Sequence, residues 1–233
     1  MKKSKIMLAV LIGAACVFSI SAAETEKAFK PTKDTWITNE KEAKPGSREH
    51  RSYGACKYLA IDTQYSGKKA NILLEFDLNE IPKDAKMLSA FIVMGAKVKP
   101  SVGGAKAIEI RRLLKDDWKE GKQGDKKHRI KKAASWIASS YSVDGPVKWE
   151  KPGALGEKDS DAKGMVVISG DEINDLAADG VDVLDLVNAW NKDRSIQFGL
   201  LIRTTNKTIN YLRWASTNAG DDKGPRLVVT YSK

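Results

Sequence analysis

The sequence has few of the residues and motifs on which enzymes usually depend. Its 233 residues include only two cysteines and two histidines. It contains no GxxxxGK[ST] phosphate loop and no GxGxxG, GxSxG, HExxH or CxxC motif. His50 and His128 are too few for a three-histidine metal site and leave little choice of a base that works at neutral pH. These absences disfavour the common enzyme classes, and we predict a protein that is not an enzyme.

Long apolar runs are also scarce, and the only one lies at the N-terminus. Met1–Lys5 carries three lysines, Ile6–Ile20 is almost entirely apolar, and small residues follow at Ser21–Ala23. This order is typical of a secretory signal peptide, residues 1–23, cleaved near Ala23. A lipid anchor at Cys16 is disfavoured because Gly13 stands where lipoprotein signals usually have Leu. We therefore predict a secreted protein, extracellular or periplasmic, with no transmembrane segment.

Cleavage changes both the cysteine count and the charge. Without Cys16 only Cys56 remains, so an internal disulfide is impossible. Losing Lys2, Lys3 and Lys5 lowers the formal charge from +10 to +7, which still favours a polyanionic partner. Because the chain is exported, we expect an acidic polysaccharide or cell-envelope glycan and not a nucleic acid.

The mature sequence is dominated by short stretches in which every second residue is apolar. In Asn71–Leu78, Ile72, Leu74, Phe76 and Leu78 would share one face of an extended strand. Further strands are predicted at Thr35–Thr38, Tyr58–Asp62, Leu88–Gly95, Ile108–Arg111, Gly164–Ile168, Phe198–Thr204, Leu212–Ala215 and Leu227–Tyr231. Many short strands separated by turn residues indicate an all-β fold, an antiparallel sandwich or barrel.

Helical signals are limited to two short segments. Asp185–Trp190 would begin at a capping Asp185 and bury Leu186, Val187 and Trp190, and Asp171–Ala178 is only two turns long. No Pro-, Gly- or Ser-rich linker and no internal repeat divides residues 24–233. We predict one β-sandwich domain over that range, with one or two short helices.

The strongest local charge lies in Lys122–Lys132, KQGDKKHRIKK. Six cationic residues, among them Lys126, Lys127 and Arg129, accompany a single Asp125. Such a segment either attracts a polyanion or is a solvated loop. Lys126, Lys127 and Arg129 are candidate ligand-binding residues, because ammonium and guanidinium groups form charge-assisted hydrogen bonds with uronate or sulfate groups.

Six tryptophans are the natural stacking surfaces for sugar rings, whose C–H faces are apolar. Trp36, Trp136 and Trp190 neighbour apolar strand or helix residues and are expected in the core. Trp118 and Trp149 lie in charged or turn-rich stretches, DDWKEGK and VKWEKPG, and are candidate ligand contacts.

Acidic residues offer a possible calcium site, although solvated turns explain each of them as well. The candidates are Asp159 with Asp161, Asp221 with Asp222, and Asp34. Oxygen ligands on loops suit Ca²⁺, but none of these groups has the spacing of an EF-hand. A structural calcium is therefore possible, and no other cofactor is expected.

An ordered series of motifs covers nearly the whole mature chain. The series is KDTWIT at 33–38, FDLNEIP at 76–82, RLLKDDWKEG at 112–121, WEKPG at 149–153, DLVNAW at 185–190 and WASTNAGDDKGPRLVVTY at 214–231. In this order and spacing the chain resembles the DNRLRE-domain proteins, also classed as carbohydrate-binding module family 96.

The resemblance implies a jelly-roll sandwich that binds polysaccharide, with alginate as the associated ligand class. Arg111, Arg112, Arg203 and Arg213 lie on or beside predicted strands and are candidate ligand-binding residues, or else outward-facing strand charges. Two other functions stay open. One is a cell-surface structural protein that binds no sugar, and the other, less favoured, is a polysaccharide lyase with His50 or a tyrosine as base.

Overall fold

A computed structural model describes residues 23–39, 51–63, 69–95, 97–99, 108–122, 133–168, 176–204, 212–220 and 222–233. The described strands are β1 (Glu24–Phe29), β2 (Pro31–Thr38), β3 (Tyr58–Thr63), β4 (Lys69–Phe76), β5 (Lys86–Val93), β6 (Lys97–Lys99), β7 (Ile108–Arg112), β8 (Ala138–Ser142), β9 (Gly145–Lys148), β10 (Val166–Ile168), β11 (Val181–Asp182), β12 (Leu200–Thr204), β13 (Leu212–Ala215) and β14 (Arg226–Ser232). The helices are α1 (Leu184–Lys192) and the 3₁₀ helices Arg194–Ile196 and Thr217–Ala219.

The strands form antiparallel sheets of four, eight and two strands. The four-stranded sheet has the order β1-β14-β5-β11, and β8 pairs with β9 in a separate hairpin. The eight-stranded sheet has the order β10-β7-β12-β4-β3-β13-β6, with β2 also paired to β4. Because Ile72 of β4 pairs with both Trp36 and Ile202, β2 and β12 lie on opposite sides of β4.

A main core lies between the four-stranded and the eight-stranded sheet. β14 alternates in burial, with Leu227, Val229 and Tyr231 turned inward. From the larger sheet, Ile72 and Leu74 of β4 enter the same cluster. Helix α1 packs against β5 and adds Leu186, Val187 and Trp190. The prediction of an all-β antiparallel sandwich with one or two short helices is confirmed.

The eight-stranded sheet is also covered on its other face, and this explains why β4 is buried almost throughout. Leu73 of β4 and Leu201 of β12 point away from the main core into a second apolar cluster. That cluster is covered by side chains from residues 113–154: Leu113, Trp118, Ala134, Trp136, Trp149 and Ala154. We call these six residues the tryptophan layer. A sheet covered on both faces needs apolar residues in both directions, as the run Ile72–Leu74 has.

Gly153 is required where the tryptophan layer is tightest. Its backbone has φ +87°, and a Cβ atom there would come within 2.7 Å of the Trp136 ring. Its N–H also donates to the Trp136 carbonyl at 2.6 Å. The WEKPG sequence therefore ends in glycine because the chain must pass directly against an indole.

The helix prediction is correct in place but wrong in its cap. α1 extends from Leu184 to Lys192, and Asp185 lies in its first turn. Val183 is the N-cap and its side chain makes no capping hydrogen bond, whereas Asp182 Oδ1, one residue earlier, accepts from the Leu184 N–H at 2.8 Å. The second predicted helix, Asp171–Ala178, lies mostly outside the described residues, and 176–179 form turns. Among the described residues, no helix combines the length and hydropathy needed to span a bilayer.

Candidate functional site

Two of the predicted arginines come together on the outward face of the large sheet. Glu109 of β7 pairs in register with Arg203 of β12 on one side and with Val167 of β10 on the other. Arg111 lies two residues beyond Glu109 on the same face of β7, because side chains alternate along a strand. We call Glu109, Arg111 and Arg203 the arginine cluster.

The arginine cluster lies where the tryptophan layer ends. Along β7 the outward positions change from Leu113, inside the second apolar cluster, to the charged Arg111 and Glu109. Along β12 the change is from Leu201 to Arg203. Beyond the cluster, Val167 is 51% exposed. The charged residues therefore form the border between a covered apolar surface and solvent.

The cluster holds more positive than negative charge. Glu109 Oε2 accepts from Arg111 Nη2 at 2.6 Å and from its Nε at 3.1 Å, and it lies 3.7 Å from Arg203 Nη1. The side chains of Glu109 and Arg111 are each 10% exposed and that of Arg203 is 20% exposed. Burial lowers the pKa of Arg203, Glu109 opposes this effect, and Arg111 adds to it by repulsion. Among the residues that the structure describes, one carboxylate thus neutralises only one of two poorly hydrated guanidiniums, and the arrangement favours a second anion.

The other two predicted strand arginines are engaged elsewhere. Arg112, on the opposite face of β7, donates from Nη2 to Asp161 Oδ2 at 2.6 Å and holds the pKa of Asp161 below its usual range. Arg213 of β13 stacks over the Tyr58 ring with its guanidinium carbon 4.2 Å from the ring centroid. The structure therefore does not bring Arg112 and Arg213 to the arginine cluster.

The prediction that Trp118 and Trp149 contact a ligand is corrected by their burial. Trp118 is fully buried, and Trp149 is 4% exposed. Trp118 Nε1 donates to the Phe198 carbonyl at 3.0 Å, and Trp149 Nε1 donates to the Ser135 carbonyl at 2.8 Å. Their neighbours in sequence are charged, yet both rings cover the second apolar cluster, so neither offers a face for a sugar to stack on.

Several predicted residues fall outside the described part of the chain. These are Lys126, Lys127 and Arg129 of the basic segment, together with His50 and His128. Their proposed roles remain predictions.

The acidic residues considered for calcium have other partners where they are described. The buried Asp159 carboxylate accepts hydrogen bonds from the backbone N–H groups of Glu150, Lys151 and Gly156 at 2.9 to 3.0 Å. It therefore holds the loop 150–156 together. Asp222 pairs with Lys30 at 3.1 Å, and Asp221 lies outside the described residues. In the described part of the chain, no group of three or more His, Cys, Asp or Glu side chains is arranged to hold a metal.

Asp34, the remaining calcium candidate, is buried and forms a carboxyl pair with the half-buried Glu120. The two carboxyl groups share a hydrogen bond, and the Asp34 N–H donates to Glu120 Oε1 at 3.3 Å. Asp34 also accepts from the N–H and the hydroxyl of Thr217, both at 2.8 Å. Burial raises the pKa of both groups, that of Glu120 to about 7. Because Thr217 stabilises the Asp34 carboxylate, Glu120 is the group that carries the shared proton.

This pair should make stability fall as pH rises from about 4.5 to about 7, because only the folded state keeps the Glu120 proton in that range. Glu120→Gln mimics the protonated form. We expect the variant to equal the wild type near pH 4.5 and to exceed it by roughly 1–2 kcal/mol at pH 8, after allowance for partial solvent screening. Urea unfolding at several pH values measures the difference. The exposed Glu157→Gln is the control, and equal curves for wild type and Glu120→Gln would contradict a shared proton.

Thr217 also forms a wall of a cavity of about 260 Å³ at one corner of the sandwich. We call this the corner cavity. Its lining includes the apolar Phe29 and Pro225, and the charged Lys30, Asp222 and Arg226. The connection between β1 and β2 supplies one side, and the residues that precede and begin β14 supply the other.

Sequence reasoning missed Glu109, Glu120 and the corner cavity. The alternation of β7 placed Glu109 and Arg111 on one face and would have identified that pair. Nothing local links Asp34 to Glu120 or Lys30 to Arg226.

In comparisons with known protein families and with curated proteins, the sequence matches none.

Proposed function

We propose that the protein is a secreted, non-catalytic carbohydrate-binding protein that recognises an acidic polysaccharide, alginate-like or another uronate or sulfated glycan. The arginine cluster carries the proposal. Two guanidiniums share one carboxylate in a poorly hydrated position beside solvent, and a carboxylate or sulfate would balance the remaining charge. The motif series at 33–231 predicts the same ligand class through its resemblance to DNRLRE-domain proteins, although no family model matches the chain.

In this proposal the polysaccharide is not recognised by stacking on Trp118 and Trp149, as the sequence had suggested. Trp118 and Trp149 are buried in the second apolar cluster and do not form a surface on which a sugar could stack. Among the described residues, the exposed apolar side chain that pairs directly with the cluster is Val167, which is 51% exposed and lies opposite Glu109 on β10. Recognition in this proposal depends mainly on charge, so affinity should fall as salt rises.

The test compares Arg203→Gln with Arg112→Gln. Arg203→Gln removes the surplus charge and leaves the Glu109–Arg111 pair intact. Arg112→Gln removes the same charge from the opposite face of β7, where Asp161 is the partner. With oligomannuronate at low ionic strength, calorimetry should give about tenfold weaker binding for Arg203→Gln and less than a twofold change for Arg112→Gln.

Three outcomes would contradict the proposal. Absence of binding to alginate, pectate and sulfated glycans at low salt would favour the structural, cell-surface alternative. Equal weakening by both variants would mean that only net charge matters. Release of unsaturated uronate products, followed by absorbance, would make the protein a lyase.

A further inference from the structure

The corner cavity has the chemistry of a ligand site that is separate from the arginine cluster. Its lining comes from the end of β1, from Lys30 and from residues between Thr217 and Arg226, whereas the cluster lies on β7 and β12. Phe29 and Pro225 provide apolar lining, and among the described lining residues Lys30 and Arg226 provide two cations and Asp222 provides one carboxylate. An apolar lining with a few charged groups is the usual composition of a small-molecule site.

The charges at the cavity are available to a ligand. The side chains of Lys30 and Asp222 are 64% and 84% exposed, and their 3.1 Å ion pair is of the exposed kind that contributes little to stability. A ligand carboxylate could therefore replace Asp222 as the partner of Lys30 at small cost. Arg226, also exposed, begins β14 beside Pro225.

Another part of the cavity lining, Thr217, is held in place by buried groups. Thr217 begins a 3₁₀ helix, and both its N–H and its hydroxyl are held by the buried Asp34 carboxylate. Gly224 packs so closely against Thr217 that a Cβ atom there would lie 2.8 Å from the Thr217 nitrogen. A wall held by buried groups is already ordered before a ligand arrives, which reduces the entropic cost of binding.

We propose that the corner cavity is a second binding site, for a single carboxylated sugar unit whose carboxylate meets Lys30 and Arg226 and whose ring occupies the space lined by Thr217, Gly220 and Gly224. The volume of about 260 Å³ is slightly below the usual range for small-molecule pockets, so the site suits one ring and not a chain. This site is separate from the proposed polysaccharide surface, and the proposal for it does not depend on that surface.

The test uses galacturonate as the probe, followed by NMR shifts of the Thr217 and Gly224 amides. Arg226→Gln and Lys30→Gln should each weaken binding about fivefold, which is the effect of losing one exposed charge-assisted contact. Asp222→Asn should instead strengthen binding two- to fivefold, because it removes the competing carboxylate. Asp222 has φ +61°, a conformation that asparagine tolerates as well as aspartate, so this variant adds no backbone strain.

Matched controls separate the carboxylate from the ring. Lys148→Gln removes an exposed lysine from β9 and should not change the titration. Galactose, which lacks the carboxylate, should bind at least fivefold more weakly than galacturonate. Any of three results would overturn the proposal: no galacturonate-dependent shifts at these amides, weaker binding on Asp222→Asn, or galactose binding as tightly as galacturonate. Arg203→Gln should leave this titration unchanged, so the two sites can fail independently.

Discussion

Trp118→Ala should destabilise the fold by about 3–5 kcal/mol, the usual cost of deleting a large buried aromatic side chain. Trp118 is fully buried against the large sheet, and its Nε1–H is bound to the Phe198 carbonyl. The substitution removes the ring from the tryptophan layer and leaves that carbonyl without its donor. Urea or guanidinium unfolding measures the change through the transition midpoint.

Trp118→Phe is the informative companion variant. Phenylalanine keeps much of the apolar volume but cannot donate to the Phe198 carbonyl, so we expect a smaller loss of about 1–2 kcal/mol. A sugar-stacking tryptophan would behave differently, because its loss would abolish glycan binding while leaving stability nearly unchanged. That pattern in Trp118→Ala would contradict the burial described for this residue.

The strands were the part of the fold that local sequence predicted best. β4, β7, β13 and β14 were expected within about two residues of their observed ends, because alternating apolar residues report a buried face directly. β1 was missed because half of the residues in ETEKAF are charged and most are exposed at a sheet edge. The β8–β9 hairpin was missed because its burial depends on the tryptophan layer, which no local pattern reveals.

Only the part of the candidate site that lies on a single strand was predictable from the sequence. Arg111 was identified as outward-facing, and the period of two also places Glu109 beside it. That Arg203 joins them depends on the register between β7 and β12, which comes from the folded sheet. Trp118 and Trp149 failed as ligand residues because charged neighbours in sequence indicate exposure of those neighbours, not of the ring between them.

Long-range pairing explains the remaining omissions. Asp34 and Glu120 are 86 positions apart, and Asp34 and Thr217 are 183 positions apart. In the sequence Asp34 resembled a possible calcium ligand, because an isolated carboxylate at a strand is compatible with many partners. Only the packing of three distant segments shows that it meets another carboxyl group and a helix terminus.

Glu109→Gln should cost about 3 kcal/mol of folding free energy, the other large effect expected for this protein. The variant leaves Arg111 and Arg203 next to each other without a carboxylate, and both are mostly buried. Repulsion between the two guanidiniums then adds to the weakening of the 2.6 Å hydrogen bond from Arg111, because the glutamine oxygen can accept it only without a negative charge. Arg203→Gln is the control, because it leaves a balanced pair and should change stability by less than 1 kcal/mol.

Added anion distinguishes this electrostatic explanation from a simple packing defect. If the two guanidiniums of Glu109→Gln are uncompensated, sulfate should recover part of the lost stability by binding between them. Sulfate also stabilises folded proteins in general, so the quantity to compare is the gain of the variant minus the gain of the wild type at equal sulfate concentration. An equal gain in both proteins would mean that loss of the Glu109 carboxylate creates no additional anion site, and it would contradict the electrostatic explanation of the lost stability.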